Sequence, residues 1–131
     1  MKMLREELVI REIIGPGRGD TVALCCAVEI TEQLLFEEKK YSYMSDIRVT
    51  RDIYTIAARR LGRTIKSTAR QIQRTSERCW YSMDNALRLR YIGKTCFPEG
   101  APSTRDMIFY LAFYCYCHEP YYQVLRKEVG R

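Results

Sequence analysis

The sequence has few of the residues on which catalytic sites depend. It contains a single histidine, His118, near the C-terminal end. It shows no glycine-rich phosphate loop after a strand and no nucleophile elbow, and its carboxylates stand mostly in mixed-charge helical stretches. We therefore expect that the chain is not an enzyme, and the sequence points to no cofactor and no small-molecule substrate.

Long apolar runs are also missing. The longest, Met107 to Cys117, has 11 residues, whereas a membrane-spanning helix needs roughly 20. Arg5, Glu6 and Glu7 interrupt the N-terminus before an apolar run of the signal-peptide kind can form. These absences predict a cytoplasmic protein without a membrane partner, in which the six cysteines are thiols rather than a disulfide framework.

Proline is scarce, with four residues at positions 16, 98, 102 and 120. Between the first two, apolar residues recur at spacings of three and four, which predicts α-helices. The chain has 131 residues, 47% of them hydrophobic, enough for one domain with one core. We expect an all-α fold, a compact bundle of about six helices in the single domain 1–131, with 119–131 as a tail. The predicted helices cover about 3–14, 20–37, 48–61, 65–82, 84–91 and 104–117.

Residues suited to helix ends stand at most of these boundaries. Asp20, Thr64 and Asp84 are each predicted to cap the helix that follows them. Gly62 ends the third helix in a left-handed turn position. The STRD sequence at 103–106 resembles a capping box before the last helix.

Acidic residues are nearly absent from the segment 58–80. It holds seven of the 22 basic side chains and one of the 16 acidic ones, so the rest of the chain has 15 of each. The whole net charge of +6 therefore lies in this segment. Its basic residues are Arg59, Arg60, Arg63, Lys66, Arg70, Arg74 and Arg78. A concentrated positive charge is typical of a surface that meets a polyanion.

The two helices of this region form a helix-turn-helix pattern, over about 48–61 and 64–80. Ala57 and Ala58 allow a second helix to approach closely, and Gly62 allows a tight turn. One face of the second helix is predicted to be buried, and Arg, Lys, Gln and Ser are left outside. The predicted buried stripe is Ile65, Ala69, Ile72, Ser76 and Cys79. The pattern favours DNA binding, while a merely solvated basic face, RNA binding and an acidic protein partner stay open.

The segment 49–80 resembles the DNA-binding effector domain of the sporulation master response regulator, stage zero sporulation protein A, of endospore-forming bacteria. The matching positions are Tyr54, Ala58, Leu61, Thr64, Arg70, Ile72, Glu77 and Trp80. VTRDIY at 49–54 is similar to the family's entry into the helix-turn-helix. GPGRGD at 15–20 and PSTRDMI at 102–108 extend a weaker similarity over about residues 5–117.

The resemblance implies a six-helix, sequence-specific transcription regulator whose recognition helix, 64–80, enters the major groove of double-stranded DNA. Arg70 falls on a base-contacting arginine of the family. Ser67, Ala69 and Gln73 stand where the family usually has arginine, glutamate and arginine, so we expect a changed operator. The chain leaves no room for the family's receiver domain, and we expect no control by its own phosphorylation.

Two groups of residues are the candidate DNA contacts. Base-reading candidates are Ser67, Arg70, Gln71, Gln73 and Arg74. Phosphate-contacting candidates are Arg59, Arg60, Arg63, Thr64, Lys66 and Arg78, for which a solvated face is an equal alternative. Homodimers, or tandem binding on repeated half-sites, suit such a protein.

Two alternatives to sequence-specific binding remain open. In the first, the chain is a protein-interaction module or antagonist that pairs with another regulator, through its last helix, without contacting bases itself. In the second, it binds nucleic acid generally, with an affinity that follows salt but not sequence.

Two further sites can be interpreted in more than one way. Trp80 is predicted to pack in the core rather than to stack on a base. Cys115, Cys117 and His118 lack zinc-like spacing, so no metal site is expected there. The last helix is apolar all round, and it lies either at the centre of the core or in a dimer contact.

Overall fold

A computed structural model describes residues 3–17 and 19–130. These residues contain seven α-helices and no strand, so the all-α prediction is confirmed, with seven helices in place of six. The helices are α1 (Arg5–Ile14), α2 (Val22–Glu32), α3 (Thr55–Leu61), α4 (Ile65–Ser82), α5 (Asn85–Tyr91), α6 (Thr104–Cys117) and α7 (Tyr121–Val129).

Two of the helices are extended by π-helical turns. One turn, Gln33–Glu37, continues α2, and the other, Val49–Tyr54, leads directly into α3. The predicted helices 20–37 and 48–61 therefore correspond to α2 and α3 together with these turns. Thr21 rather than Asp20 occupies the N-cap position of α2.

Helices α2 and α6 form the centre of the bundle. Helix α2 contacts α1, α3, α4 and α6, and α6 contacts five of the other helices. In α6 the run Met107–Phe113 is buried without interruption. Its apolar surface is therefore used by the core, and α6 offers little of it to a dimer contact. None of the helices in the described ranges is both long enough and apolar enough to cross a membrane.

The predicted side-chain caps after the second helix are confirmed. Thr64 accepts a hydrogen bond from the backbone N–H of Ser67 at 3.1 Å. The Asp84 carboxylate accepts a hydrogen bond from the backbone N–H of Leu87 at 2.9 Å. The Ser103 hydroxyl accepts one from the backbone N–H of Asp106 at 3.1 Å. Each cap fixes the start of its helix, because it satisfies an otherwise unpaired donor of the first turn.

The prediction of a tail at 119–131 is wrong, because this segment contains α7. The backbone N–H of Tyr122 donates to the carbonyl of Ile92 at 3.1 Å. The guanidinium of Arg126 donates to the carbonyl of Gly93, 33 positions earlier, at 3.1 Å. Contacts at such a distance along the chain hold α7 in place, and local residue spacing does not reveal them.

Trp80 packs in the core, as predicted, at the C-terminal end of α4. Only 7% of its surface is exposed. Its ring meets Phe97 edge-on at 4.7 Å between centroids, and the Arg88 guanidinium lies 3.9 Å above it. These contacts anchor the C-terminal end of α4, while its first three residues, 65–67, are exposed.

Candidate nucleic-acid interface

The turn between α3 and α4 has the geometry that the sequence predicts. Gly62 has φ of 65° and ψ of 35°, in the left-handed region, where a side chain would be strained. The next backbone N–H, of Arg63, donates to the carbonyl of Ala58 at 3.0 Å and closes the helix end. Ala57 and Ala58 are buried, so α3 lies close against its neighbours. Three residues, 62–64, separate α3 from α4.

Helix α4 buries a broader arc than the predicted stripe. Thr68 and Thr75 are buried in addition to the predicted Ile72, Ser76 and Cys79. Ile65, predicted to be buried, is 43% exposed, and Ala69 is half-buried. The helix is therefore rotated so that two small hydroxyl residues face the bundle. Ile65, in its first turn, reaches past the supporting helices into solvent.

A ridge of cations follows the exposed side of α4. Lys66, Arg70 and Arg74 are spaced four residues apart, which places them on one face of the helix. All three are exposed, as is Arg59 on α3. None of the four makes a hydrogen bond or ion pair within the described part of the chain. We call Arg59, Lys66, Arg70 and Arg74 the cationic ridge.

The cationic ridge costs the folded chain stability. Like charges four residues apart on a helix are unfavourable by roughly 0.2–0.5 kcal/mol for each pair. Lys66 with Arg70, and Arg70 with Arg74, form two such pairs in sequence. A solvated face usually alternates charge signs, which would remove this cost. A negatively charged binding partner would offset the repulsion between these side chains.

Two of the predicted phosphate contacts, Arg60 and Arg63, instead form ion pairs within the protein. Arg60 lies 3.6 Å from the Glu29 carboxylate and donates to Gln33 at 3.0 Å. Arg63 pairs with the carboxylate of Asp20 at 3.1 Å. Because these side chains are partly exposed, such pairs are worth at most about 1 kcal/mol. A phosphate must therefore compete with these pairs.

Arg78 lies against the loop between α1 and α2. A methyl group added at Gly19 would come within 2.1 Å of the Arg78 Nη1 atom, and one at Gly17 would lie 3.4 Å from Nη2. Two glycines in GPGRGD thus make room for the guanidinium. Arg78 therefore lies beside this loop, toward the C-terminal end of α4.

Gln71, a predicted base contact, is also turned toward this loop. Its amide Nε2 donates to the backbone carbonyl of Asp20 at 3.1 Å, and the hydroxyl of Thr75 donates to the same carbonyl at 3.2 Å. Gln71 is half-buried and fixes α4 to the bundle. Among the base-reading candidates, Ser67, Arg70, Gln73 and Arg74 remain exposed.

Two exposed residues near the ridge were not among the sequence candidates. Tyr81 is 77% exposed and lies seven residues after Arg74, on the same face of α4. Ile65 lies one residue before Lys66. The helical period places Tyr81 on that face. The neighbouring aromatic residue, Trp80, packs in the core, and Tyr81 is left exposed.

The three residues of the 115–118 segment do not converge. Cys115 is buried, Cys117 is half-buried and His118 is exposed, because neighbouring residues on a helix point to different sides. Among the described residues, the group of ligand atoms close enough to hold a metal consists of Glu6, Glu32 and Cys115. All six cysteines are free thiols.

Comparison of the chain with protein-family models, with curated proteins and with solved structures finds no match in any of the three. The resemblance to the sporulation regulator therefore stays a prediction that rests on residues 49–80.

Proposed function

We propose that this chain is a sequence-specific DNA-binding transcription regulator that inserts the N-terminal half of α4 into the major groove of duplex DNA. The observation that carries the proposal is the cationic ridge, Arg59, Lys66, Arg70 and Arg74, whose side chains are exposed and have no ion-pair partner among the described residues. The resemblance of residues 49–80 to the effector domain of the sporulation regulator supports the same assignment.

The shape of this region suits the groove. An α-helix with its side chains is about 10–12 Å across, and the major groove is about 12 Å wide. Helix α4 has 18 residues. Its C-terminal half is held by Trp80 and Cys79 in the core, while Ile65, Lys66 and Ser67 at its start are all exposed. The first turns can therefore approach base edges without any movement of the bundle.

The exposed side chains offer both kinds of DNA contact. The guanidinium of Arg70 or Arg74 can donate two hydrogen bonds to the O6 and N7 atoms of guanine, and Gln73 can pair with adenine. Ile65 adds an apolar side chain for a thymine methyl group. Lys66, in the first turn of α4, and Arg59, on α3, would contact phosphates and set the register.

Gln73 is the exposed candidate with a partner inside the helix. Its amide donates to the carboxylate of Glu77 at 3.2 Å. Glu77 is the acidic residue on this face of α4, and it lies about three turns from the start of the helix. Base contact by Gln73 requires the loss of this exposed hydrogen bond, which costs little because water replaces it.

The second candidate function is a protein-interaction module, and an apolar surface patch favours it. Met3, Leu4 and Val22 are each about half exposed. Together with Cys26 and Leu61 they line an open cavity of about 460 Å³ between α1, α2 and the end of α3. Pairing through α6 is not supported, because the core uses its apolar surface. A partner would therefore use this patch.

Selection from a random pool of duplex DNA separates the candidate functions. We expect the wild-type chain to enrich a short motif, and Arg70→Ala to lose roughly 1–3 kcal/mol of affinity for it and to relax the preference at one position. The matched control is Arg90→Ala, which removes an exposed arginine that pairs with Glu12 on another face. It should leave the motif and the affinity unchanged.

The outcomes assign the function unambiguously. Binding without enrichment, with a steep salt dependence, would show a general nucleic-acid binder. Absence of DNA binding at moderate salt would favour the interaction module. Enrichment that Arg70→Ala and Arg90→Ala leave equally intact would contradict base contact by Arg70.

A further inference from the structure

A buried cluster of three metal-ligating side chains lies among the helices that support α4 and contains none of the candidate DNA contacts. It joins three helices: Glu6 from α1, Glu32 from α2 and Cys115 from α6. One ligand atom from each lies within 4.8 Å of the others. The three residues are 8%, 9% and 4% exposed, respectively. The sequence gives no sign of the cluster, because its members are far apart along the chain.

The carboxylate of Glu32 lacks a partner for one of its oxygens. Its Oε2 atom is fully buried and accepts no hydrogen bond among the described residues. Neither Glu6 nor Glu32 forms an ion pair with a described residue. A buried carboxylate without a cation or a donor is costly. The site therefore requires either a proton or a cation.

The surroundings of the cluster add negative rather than positive potential. Glu29 and Glu37 act on Glu32 from its own helix and from the turn that continues it. Cys25 and Arg5 act on Cys115, and Arg5 is the cation in this set. Its side chain is exposed, so it cannot neutralise two buried carboxyl groups. A divalent ion would supply the missing charge.

We propose that Glu6, Glu32 and Cys115 bind a zinc ion that ties α1, α2 and α6 together. Two carboxylates and one thiolate are ligands that zinc accepts, whereas magnesium and calcium take oxygen ligands and do not select a thiol. The three ligand atoms lie within 4.8 Å of one another, and rotation of the side chains would bring them to zinc bonds of about 2.0–2.3 Å.

Binding displaces protons and leaves one coordination position open. The Cys115 thiol loses its proton to solvent and becomes the sulfur ligand, and any proton held between Glu6 and Glu32 leaves in the same step. Three protein ligands leave a fourth position for water. Since α1 and α2 both contact α4, the ion would stiffen the support of the cationic ridge. The proposal does not depend on DNA binding.

Titration of the reduced, chelator-treated full chain with zinc and with cobalt tests the site. We expect saturable binding of one ion per chain, a higher melting temperature with zinc, and a thiolate-to-cobalt charge-transfer absorption band. Cys115→Ser should abolish this band. Glu32→Gln, a neutral substitution of the same shape that should fold, should lower zinc affinity at least tenfold, the lower bound for loss of a group that merely supports a ligand.

Two matched controls keep the test specific. Cys117→Ser changes a half-buried thiol two residues away, and Glu99→Gln changes an exposed carboxylate in the loop before α6. Both should bind zinc and cobalt as the wild-type chain does. Absence of one-to-one binding by the wild-type chain would overturn the proposal. So would equal loss of binding in the control variants, or a charge-transfer band that survives in Cys115→Ser.

Discussion

Replacement of Lys66, Arg70 and Arg74 together by alanine is expected to weaken binding to duplex DNA by about a hundred- to a thousandfold, because each unpaired cation contributes roughly a kilocalorie or more. The slope of log affinity against log salt should become shallower by roughly 1 to 2, since each lost phosphate contact removes about 0.9 and Arg70 contacts a base instead of a phosphate. Affinity measured by fluorescence anisotropy across a salt series gives both quantities.

The control variant has the same net charge as the triple ridge variant. Lys40, Arg90 and Lys127 are exposed cations away from α4, and their replacement by alanine also removes three positive charges. This control variant should keep nearly all of the affinity, because the ridge and not the total charge meets the DNA. Equal losses in the two triple variants would show that binding follows net charge alone and would contradict a defined interface.

The folded stability of the triple ridge variant should not fall. Removal of the two like-charge pairs relieves roughly 0.4–1 kcal/mol of repulsion, and alanine is the best helix former. Thermal unfolding of the free protein measures this. A higher melting temperature together with a large loss of DNA affinity is the signature of side chains that serve binding at the expense of stability.

Glu32→Gln is expected to change how the stability of the metal-free chain depends on pH. Burial, and next the carboxylate of Glu6, raise the pKa of Glu32 to about 8 in the folded protein, while the pKa of an unfolded glutamate is about 4.3. Between these values the folded state holds more protons than the unfolded state. The wild-type free energy of unfolding should therefore fall as the pH rises from about 5 to about 8.

The glutamine variant lacks this titration, so it should be more stable than the wild-type chain near pH 8, by a few kcal/mol. The two proteins should be close in stability near pH 5. Urea unfolding in the presence of a chelator at several pH values up to about 8 measures the difference. Glu99→Gln, in the loop before α6, is the control and should keep the wild-type pH dependence. A constant difference between wild type and Glu32→Gln at all pH values would contradict the raised pKa.

Much of the fold can be predicted from local sequence features. The bounds of α6 follow from Ser103 and the apolar run after it, and the turn before α4 follows from Gly62 and Thr64. These features act over a few residues, so their sequence signals are direct. Helix α7 was missed, because the carbonyls of Ile92 and Gly93 that hold it lie far back along the chain.

The site was predicted less completely than the fold. The residue spacing correctly predicts that Arg70 and Arg74 are exposed, but it wrongly predicts that Ile65 is buried. Thr68 and Thr75 are buried instead, and the spacing of apolar residues does not reveal polar residues on the buried face. The sequence predicts Gln71 and Arg63 as DNA contacts, but both side chains donate hydrogen bonds to Asp20 in the structure. An arginine's partner on another helix depends on tertiary packing, which helical periodicity does not contain.

The central claim is that Arg70 contacts a base from within the major groove, and a double substitution in protein and DNA tests it most directly. Each guanine of the selected motif is replaced in turn by 7-deazaguanine, which lacks the N7 acceptor in the major groove. The wild-type chain should lose roughly 1–3 kcal/mol at one guanine, and Arg70→Ala should lose almost nothing further there. Equal losses in the two proteins at every guanine would contradict the claim.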